Sequence, residues 1–407
     1  MRRLVSVREV NSIHPIEGAD AIELAIVGGW GVVVKKGEFS PGDLGVFFEI
    51  DSFLPIADDR FQFLTKNAIK WNGQEGIRIK SIRLRGQLSQ GLILPLNVFP
   101  EIASQIVNAS EEEIDAMDFS ELLKVVKWEP MASVNLGGQA RGNFPSFISK
   151  TDQDRYQGLA KVFCKIAEHN RKVDIGELSQ SELITFEVSI KLDGSSLTGY
   201  VCPNREAEGV CSRNIDLAPS DENTFWKIAN QYQLIESIKT LIASCDGGNI
   251  ADSGLVIQGE MFGAGINGNH EGITDIQFRV FDLWVPTSAD GLTPGRYLTP
   301  EERTLVLNTI NQQRIENGFD RLETAPILNI KYRIDSPDDF DADGNLDIEK
   351  IMNRLQELSE GPSLYAPTRE GVVFKSNRPL PASGNMNSPF TFKAISNSYL
   401  LKHSDRG

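Results

Sequence analysis

The sequence predicts an α+β protein: an all-β module at the N-terminus, then a larger domain of mixed strands and helices. Three observations carry that expectation. Residues 1–100 hold short apolar and alternating runs punctuated by Gly-Gly, Pro-Gly and Asn-Gly turns. From about residue 145 onward, strand-like runs mix with segments of helical periodicity. Between the two, Leu136–Pro145 is glycine-rich and reads as a hinge. The boundaries expected are 1–105 for the β module, 106–144 for a helical connector with the hinge, and 145–407 for the second domain.

Size and composition suit such a chain. Its 407 residues allow two or three domains, and 40% apolar against 24% charged residues is the balance of a water-soluble protein. No apolar run is long enough to span a membrane, and the N-terminus lacks the apolar core of a secretory signal. Cys164, Cys202, Cys211 and Cys245 are scattered and form no C-x-x-C pair, so a reducing, cytoplasmic setting is expected. The net charge of −15 disfavours indiscriminate nucleic-acid binding. It leaves room for a local basic groove, because the acids cluster at Glu111–Glu113, Asp221–Glu222 and Asp338–Asp347.

In the β module, Ile22–Val27, Gly31–Val34, Gly45–Ile50 and Ile77–Leu84 are strand-like. About five short strands in a hundred residues suggest a small barrel, with an OB-type fold leading. Along Ile77–Arg85, apolar Ile77, Ile79, Ile82 and Leu84 alternate with Arg78, Lys80, Arg83 and Arg85, with one slip at Ser81 that suggests a bulge. The basic face would track phosphates, or equally would be a solvated face that protects the sheet. Ala109–Val126 has helical spacing of Ile114, Met117, Leu122, Leu123 and Val126.

In the second domain, Arg155–His169 reads as a helix. Strand-like runs are Phe186–Lys191, Leu197–Val201, Leu255–Gly259, Gln277–Trp284 and Gly371–Lys375. Thr299-Pro300-Glu301-Glu302 has the residues of a capped helix start, and that helix should end at Asn317-Gly318. A second amphipathic helix is expected over Asp347–Leu358. Both fall in 286–366, which reads as a helix-rich insertion in a mostly β scaffold.

Six segments carry possible chemistry. Lys191-Leu192-Asp193-Gly194 puts a lysine at the end of an apolar run, just before a small-residue turn. A lysine becomes a nucleophile only after losing its proton, through desolvation or neighbouring positive charge. The strand end offers the first, and Lys375 and Lys393 could offer the second. Alone, K-x-D-G is weak: roughly one chain of this length in ten would hold it by chance, and a surface lysine before a turn is the commoner case. Ser212-Arg213-Asn214 could hold a phosphate through the arginine fork, or be a loop with a surface ion pair. Gln258-Gly259-Glu260 ends a strand with a carboxylate suited to a ribose hydroxyl or a metal ion, or simply an exposed one. In Phe278-Arg279-Val280-Phe281-Asp282, strict alternation puts Phe278, Val280 and Asp282 on one side and Arg279 and Phe281 on the other. One phenylalanine could stack on a purine while the other packs inside, though both inside is usual. Glu370 precedes the strand Gly371–Lys375, and Phe390–Lys393 is a further strand ending in lysine.

The order of these segments resembles the nucleotidyltransferase motifs of covalent ATP-dependent ligases and mRNA capping enzymes, which share an ATP-grasp-like ligase domain of antiparallel sheets with flanking helices. Within that group, Ile13–Asp20, Val33–Phe39 and Leu84–Leu92 resemble the N-terminal OB module of the Deinococcus-type RNA ligases. Phe147–Asp152, with Arg155 and Gln157, is similar to that family's lead-in to the ligase domain. The β module precedes the ligase-like segments, and the residues after Lys393 leave no room for the C-terminal OB domain usual in DNA ligases and capping enzymes.

The resemblance implies an ATP-dependent RNA ligase. Lys191 would take AMP from ATP with Mg²⁺ or Mn²⁺ present, pass it to a 5′-phosphate, and allow a 3′-OH RNA end to join there, at nicks in an RNA or RNA–DNA duplex. Asp193, Gly194, Arg213, Glu260, Phe278, Glu370, Lys375 and Lys393 would bind the nucleotide, with Phe278 stacked on adenine and Glu260 and Glu370 at the metal. Arg78, Lys80, Arg83 and Arg85 would meet nucleic acid. A monomer acting without a membrane is expected. The alternatives are a DNA ligase or guanylyltransferase using the same lysine, and a non-catalytic nucleic-acid-binding protein. Two positions depart from the family pattern: Thr391 stands where a second lysine is common, and Ser189 where a glutamate two residues before the nucleophile is common, although Glu187 shares its strand face. Asp339–Asp347 matches the start of a calcium loop, but Lys350 replaces its closing glutamate, so an acidic turn before a helix is the reading.

Overall fold

The structure, a computed structural model, describes residues 3–129, 140–341, 344–380 and 385–403. The chain forms two compact units: 1–131 with 156–160 and 397–407, and 132–155 with 161–396.

The first unit gathers short antiparallel sheets on one core. Leu44–Phe48 pairs with Val5–Glu9 on one side and Leu92–Pro95 on the other. Ser12–Pro15, Ile22–Val27 and Trp30–Lys35 form a second three-stranded sheet. Val126–Lys127, Ser52–Pro55, Gln74–Arg78 and Ala68–Trp71 form a third sheet in that order. Alternation drives the packing: Trp30, Val32 and Val34 point inward along one strand and meet Val5, Phe47, Phe48 and Phe99.

Two expectations for this unit give way. The helix expected over Ala109–Val126 covers only Glu111–Ala116, capped by Ser110 and Glu113. Asp118 then accepts from the Ser120 amide at 3.0 Å, and Lys124 takes a left-handed conformation, so the chain turns instead. Phe119, Leu123 and Val125 are thereby delivered to the core of the β module, not to a helix face. The single strand expected over Ile77–Arg85 is also broken. Gln74–Arg78 ends one strand, and Ile82–Leu84 starts a separate ribbon with Gln87–Ser89. Arg85 and Gly86, both at positive φ, make the two-residue turn that forces this pairing.

The second unit is built on two sheets. Five strands run in the order Asp154–Arg155, Asn385–Ile395, Gly371–Leu380, Phe186–Lys191 and Ile327–Tyr332. One face of this sheet is aromatic. Phe374 stacks on Phe392 with centroids 4.4 Å apart, and Phe186 and, from the helix Ala160–Asp174, Phe163 close on the same ring. The other sheet has seven strands, with Ser195–Cys202, Leu255–Phe262 and Gln277–Val285 adjacent to one another. Its Leu197, Ile257, Met261, Phe278, Val280 and Leu283 form a core with the helices Thr224–Gln231, Leu234–Ser244 and Pro300–Glu316.

Parts of the expected insertion, 286–366, pack into this unit. Ile327–Tyr332 pairs with the strand that bears Lys191, and Leu307 and Ile310 of the capped helix Pro300–Glu316 join the core. An amphipathic segment whose apolar face meets a sheet becomes part of it. Of the expected hinge, Leu136–Gln139 lies outside the described residues, and Ala140–Asn143 is a strand paired with Ile215–Leu217. Ala342 and Asp343 of the acidic turn also lie outside the described residues. Asp347 caps the helix Ile348–Ser359, and Asp339 is held by Arg354.

Candidate active site

The apolar strand Phe186–Lys191 delivers Lys191 to its end, where the chain turns through Asp193-Gly194 into Ser195–Cys202. Gly194 is required by close approach: a Cβ there would lie 2.2 Å from the carbonyl oxygen of Met261. The Asn267 side-chain amide donates to the carbonyl of Gly194 and holds the turn from the other side.

Strand register then decides which side chains meet. Glu187 lies opposite Lys375, which lies opposite Thr391; Ser189 lies opposite Val373, which lies opposite Lys393; Lys191 lies opposite Gly371. Direct partners share a face. Lys191, Lys375 and Lys393 therefore occupy the face opposite the aromatic layer.

Glu370, one residue before its strand, accepts from Lys191 Nζ at 2.5 Å. Burial favours the neutral amine, but Glu370, Glu260 and Asp193 outweigh it and hold Lys191 above the usual lysine range. The expected help from Lys375 and Lys393 in discharging this amine is thus not what the resting site provides. Lys375 is bonded to Asp282 and donates to the carbonyl of Phe281 at 3.0 Å. Burial pulls both members of that pair toward their neutral forms. Glu260, two residues before the end of its strand, is pushed up to about 8 by burial and by the negative charge of Glu370 and Asp193, against the opposing pull of Lys191 and Arg213. Arg213, between two strands, is half exposed and 3.8 Å from Asp152.

The phenylalanine choice is corrected. Phe278 is 1% exposed, packs on Tyr232 and occupies the space where a Cβ on Gly259 would sit, so it belongs to the core and not to a nucleotide pocket. Register shows why alternation failed. Gln258 pairs with Asp282 but the next residue, Gly259, pairs with Val280. Phe281 is the extra residue of a β-bulge, which turns both Phe281 and Asp282 toward the side of Gln258 and Glu260. Phe281 is partly exposed there. The Phe278–Asp282 segment offered two candidates, and only the bulge separates them.

Glu260, Glu370 and Asp193 set three carboxylates against one amine. Among the described residues no three His, Cys, Asp or Glu side chains gather closely enough to hold a metal alone. The surplus of oxygen ligands nevertheless suits a hard divalent cation that keeps water and phosphate in its coordination shell.

In the first unit, Arg78 is corrected as a nucleic-acid contact. It bonds to Asp51 at 3.1 Å and lies over the Trp128 ring at 3.4 Å, so its charge is engaged. Lys80, Arg83 and Arg85 are exposed. They sit in a stretch, Gly76–Pro100, that contains no acidic residue in a chain of net charge −15.

Comparison with known proteins agrees with both units. A model of the PHA02142 OB-fold domain matches residues 4–96, and the RNA ligase model matches residues 184–395. No curated protein matches. Among solved structures, Naegleria gruberi RNA ligase as an apo Asp-to-Ala mutant is 38% identical with a TM-score of 0.75, covering 100% of this chain and 99% of that one. The same ligase as a Lys-to-Met mutant with AMP and Mn is 37% identical at a TM-score of 0.75, with 100% of both chains covered. As a Lys-to-Ala mutant with ATP and Mn it is 36% identical at a TM-score of 0.75, covering 99% of this chain and 100% of that one. The fold and the lysine-centred site thus define a nucleic-acid ligase with an N-terminal OB-fold domain. The chain belongs to the RNA ligase family.

Proposed function

We propose that this RNA ligase uses ATP to adenylylate Lys191, hands the AMP to a 5′-phosphate, and joins that end to a 3′-OH RNA end at nicks in an RNA or RNA–DNA duplex. The observation that carries the proposal is the Lys191–Glu370 contact of 2.5 Å on a face that also bears Lys375 and Lys393. In the first step Lys191 Nζ bonds to the α-phosphorus as the bond from that phosphorus to the β-bridging oxygen breaks, and pyrophosphate leaves. One proton must leave the ammonium first, and Glu370 Oε2 is the group beside it. In the second step an oxygen of the 5′-phosphate displaces Lys191 from the AMP phosphorus. In the third the 3′-OH attacks the activated 5′-phosphorus and AMP leaves.

Phe281 would stack on adenine in place of Phe278, and Glu260 would contact the ribose or the metal. Arg213 would steady the AMP phosphate or the 3′-OH end, and Lys375 and Lys393 would engage phosphates. Asp193 and Gly194 shape the turn. Mg²⁺ or Mn²⁺ held by Glu260 and Glu370 would supply charge neutralisation at the transferring phosphate. The exposed ribbon with Arg83 and Arg85, together with Lys80, would meet duplex phosphates. The enzyme would act as a monomer in RNA repair. A reducing cytoplasm suits its four free cysteines, and no described helix is long and apolar enough to cross a membrane.

Mass spectrometry after incubation with ATP and Mg²⁺ or Mn²⁺ tests this. The Lys191 peptide should gain one AMP, and the labelled protein should then seal a nicked duplex with a 3′-OH RNA end. Labelling by GTP alone, or AMP on a different residue, would overturn the reading.

A further inference from the structure

The helix Pro300–Glu316 carries none of the ligase-like segments, yet its Arg303 reaches the layer beside the site. Arg303 and Glu187 are 3% and 5% exposed in their side chains. They share two hydrogen bonds, Nη1 to Oε1 at 2.9 Å and Nη2 to Oε2 at 2.6 Å. Arg303 also donates to the carbonyl of Phe281 at 3.3 Å, the same oxygen that accepts from Lys375 at 3.0 Å. The strand register gives this arrangement its meaning. Glu187 and Lys375 are direct cross-strand partners, so their side chains leave the sheet next to one another. Opposite charges so placed pair with each other unless something intervenes. Here Glu187 bonds to Arg303, and Lys375 bonds to Asp282.

We propose that Arg303 is a positioning residue for adenylylation: it holds Glu187 away from Lys375 and leaves that lysine one carboxylate partner, so its amine can exchange onto a substrate phosphate. This rests on the reading of Lys375 as a phosphate-binding lysine. The group of four is electrically balanced, two carboxylates against two cations. Without Arg303, Glu187 is a buried carboxylate whose nearest cation across the strands is Lys375. A lysine locked between two buried carboxylates would not release to a phosphate.

The test measures AMP transfer onto the full-length protein as a function of ATP concentration, with thermal midpoints alongside, for R303M, R303K, E187M/R303M and K375M. R303M should need at least tenfold more ATP for half-maximal labelling, with a smaller change in maximal rate. R303K should lie between R303M and the parent. E187M/R303M removes the captor together with its guard and should recover most of the loss. Parent-like ATP dependence in R303M, or a folded E187M/R303M as weak as R303M, would overturn the inference. Should R303M not fold, the double variant still decides, because replacing both buried charges with apolar groups is commonly tolerated. K375M separates the two layers of the argument. If folded K375M uses ATP like the parent, the reading of Lys375 fails and takes the role of Arg303 with it. If K375M is weak and the double variant is not rescued, only the role of Arg303 fails.

Discussion

Two lysines on one sheet face show opposite ways of holding a charge. Lys191 is 26% exposed in its side chain and faces Glu370, with Glu260 and Asp193 also bearing on it. Lys375 is 5% exposed, and with Asp282, Arg303 and Glu187 it forms a balanced buried set. The first place gathers three carboxyl groups around one amine and keeps partial contact with solvent. The second is neutral and sealed. Burial alone therefore does not mark chemistry in this fold. An unbalanced charge at an accessible strand end does, because it is completed only by something that arrives. The buried set ties Lys375 to Asp282 and Glu187 to Arg303, while the Lys191–Glu370 pair keeps partial solvent contact.

Substitution separates the two lysines directly. K191M should lose AMP labelling by at least ~10³-fold, since no neighbouring group can replace the nucleophile. Its stability should fall by less than that of K375M, because the Lys191–Glu370 pair is 26% and 17% exposed in its side chains. K375M should instead leave Asp282 buried without its partner, at a cost of about 3–5 kcal/mol in chemical denaturation. Equal destabilisation of the two variants would remove the distinction between an open and a sealed charge.

E370Q removes the carboxylate that faces Lys191. Glu370 helps to hold Lys191 above the ordinary lysine range, so the pair contributes stability through neutral pH and loses it only as strongly alkaline pH discharges the amine. Removing the carboxylate lowers the pKa of the amine. Labelling should drop about 10²-fold for want of the group beside the ammonium. The residual rate should begin its rise at lower pH than in the parent. A pH–rate profile of the first step reads this, and an unmoved acid limb would detach Glu370 from the proton balance of Lys191.

The bulge at Phe281 sets a third test. F281L should raise the ATP concentration for half-maximal labelling about fivefold, as expected for ~1 kcal/mol of lost ring contact, with little change in unfolding. F278L should cost about 1–2 kcal/mol of stability through imperfect repacking next to Tyr232 and Gly259 while leaving ATP use near the parent. The reverse pattern would restore Phe278 to the nucleotide.

Legibility in the sequence followed the distance over which each feature is decided. The strand end bearing Lys191 was readable, because an apolar run and a following charge are local facts, whereas the strands bearing Glu260, Lys375 and Lys393 run on past those residues. The start of the helix Pro300–Glu316 was readable for the same reason: Thr299 and Glu302 cap it within one turn. The bulge was not, since it exists only as a mismatch between Gln258–Gly259 and Val280–Asp282. Nor was the fate of Arg78, whose basic alternation looked identical to that of Arg83 until Asp51 and Trp128 came beside it. Arg303 lay in a helix with no motif, and only packing paired it with Glu187. Apolar spacing over Ala109–Val126 suited a helix, but the β module needed Phe119, Leu123 and Val125 in its core, and tertiary burial prevailed over local period.

The smallest expected effect concerns Glu260, and its sign is set by which state carries the raised pKa. In the folded protein this carboxyl ionises at about 8, under burial and the fields of Glu370 and Asp193 less those of Lys191 and Arg213. In the unfolded chain it ionises near ~4.3. A raised pKa means that its contribution to stability is complete below the unfolded value and is lost as pH rises toward 8. E260Q cannot ionise, so it escapes that loss. The variant and the parent should unfold together near pH 4, and E260Q should unfold roughly 2–4 °C higher at pH 8.5. Lys191 loses one of its carboxylates in E260Q, which keeps the gain small. Added Mn²⁺ without ATP should then raise the midpoint of the parent more than that of E260Q at pH 8.5, because the cation takes up the charge that burial makes costly. A parent as stable as E260Q throughout this pH range would show that Glu260 is already compensated in the resting site, and that the surplus of negative charge around Lys191 is smaller than its three carboxylates suggest.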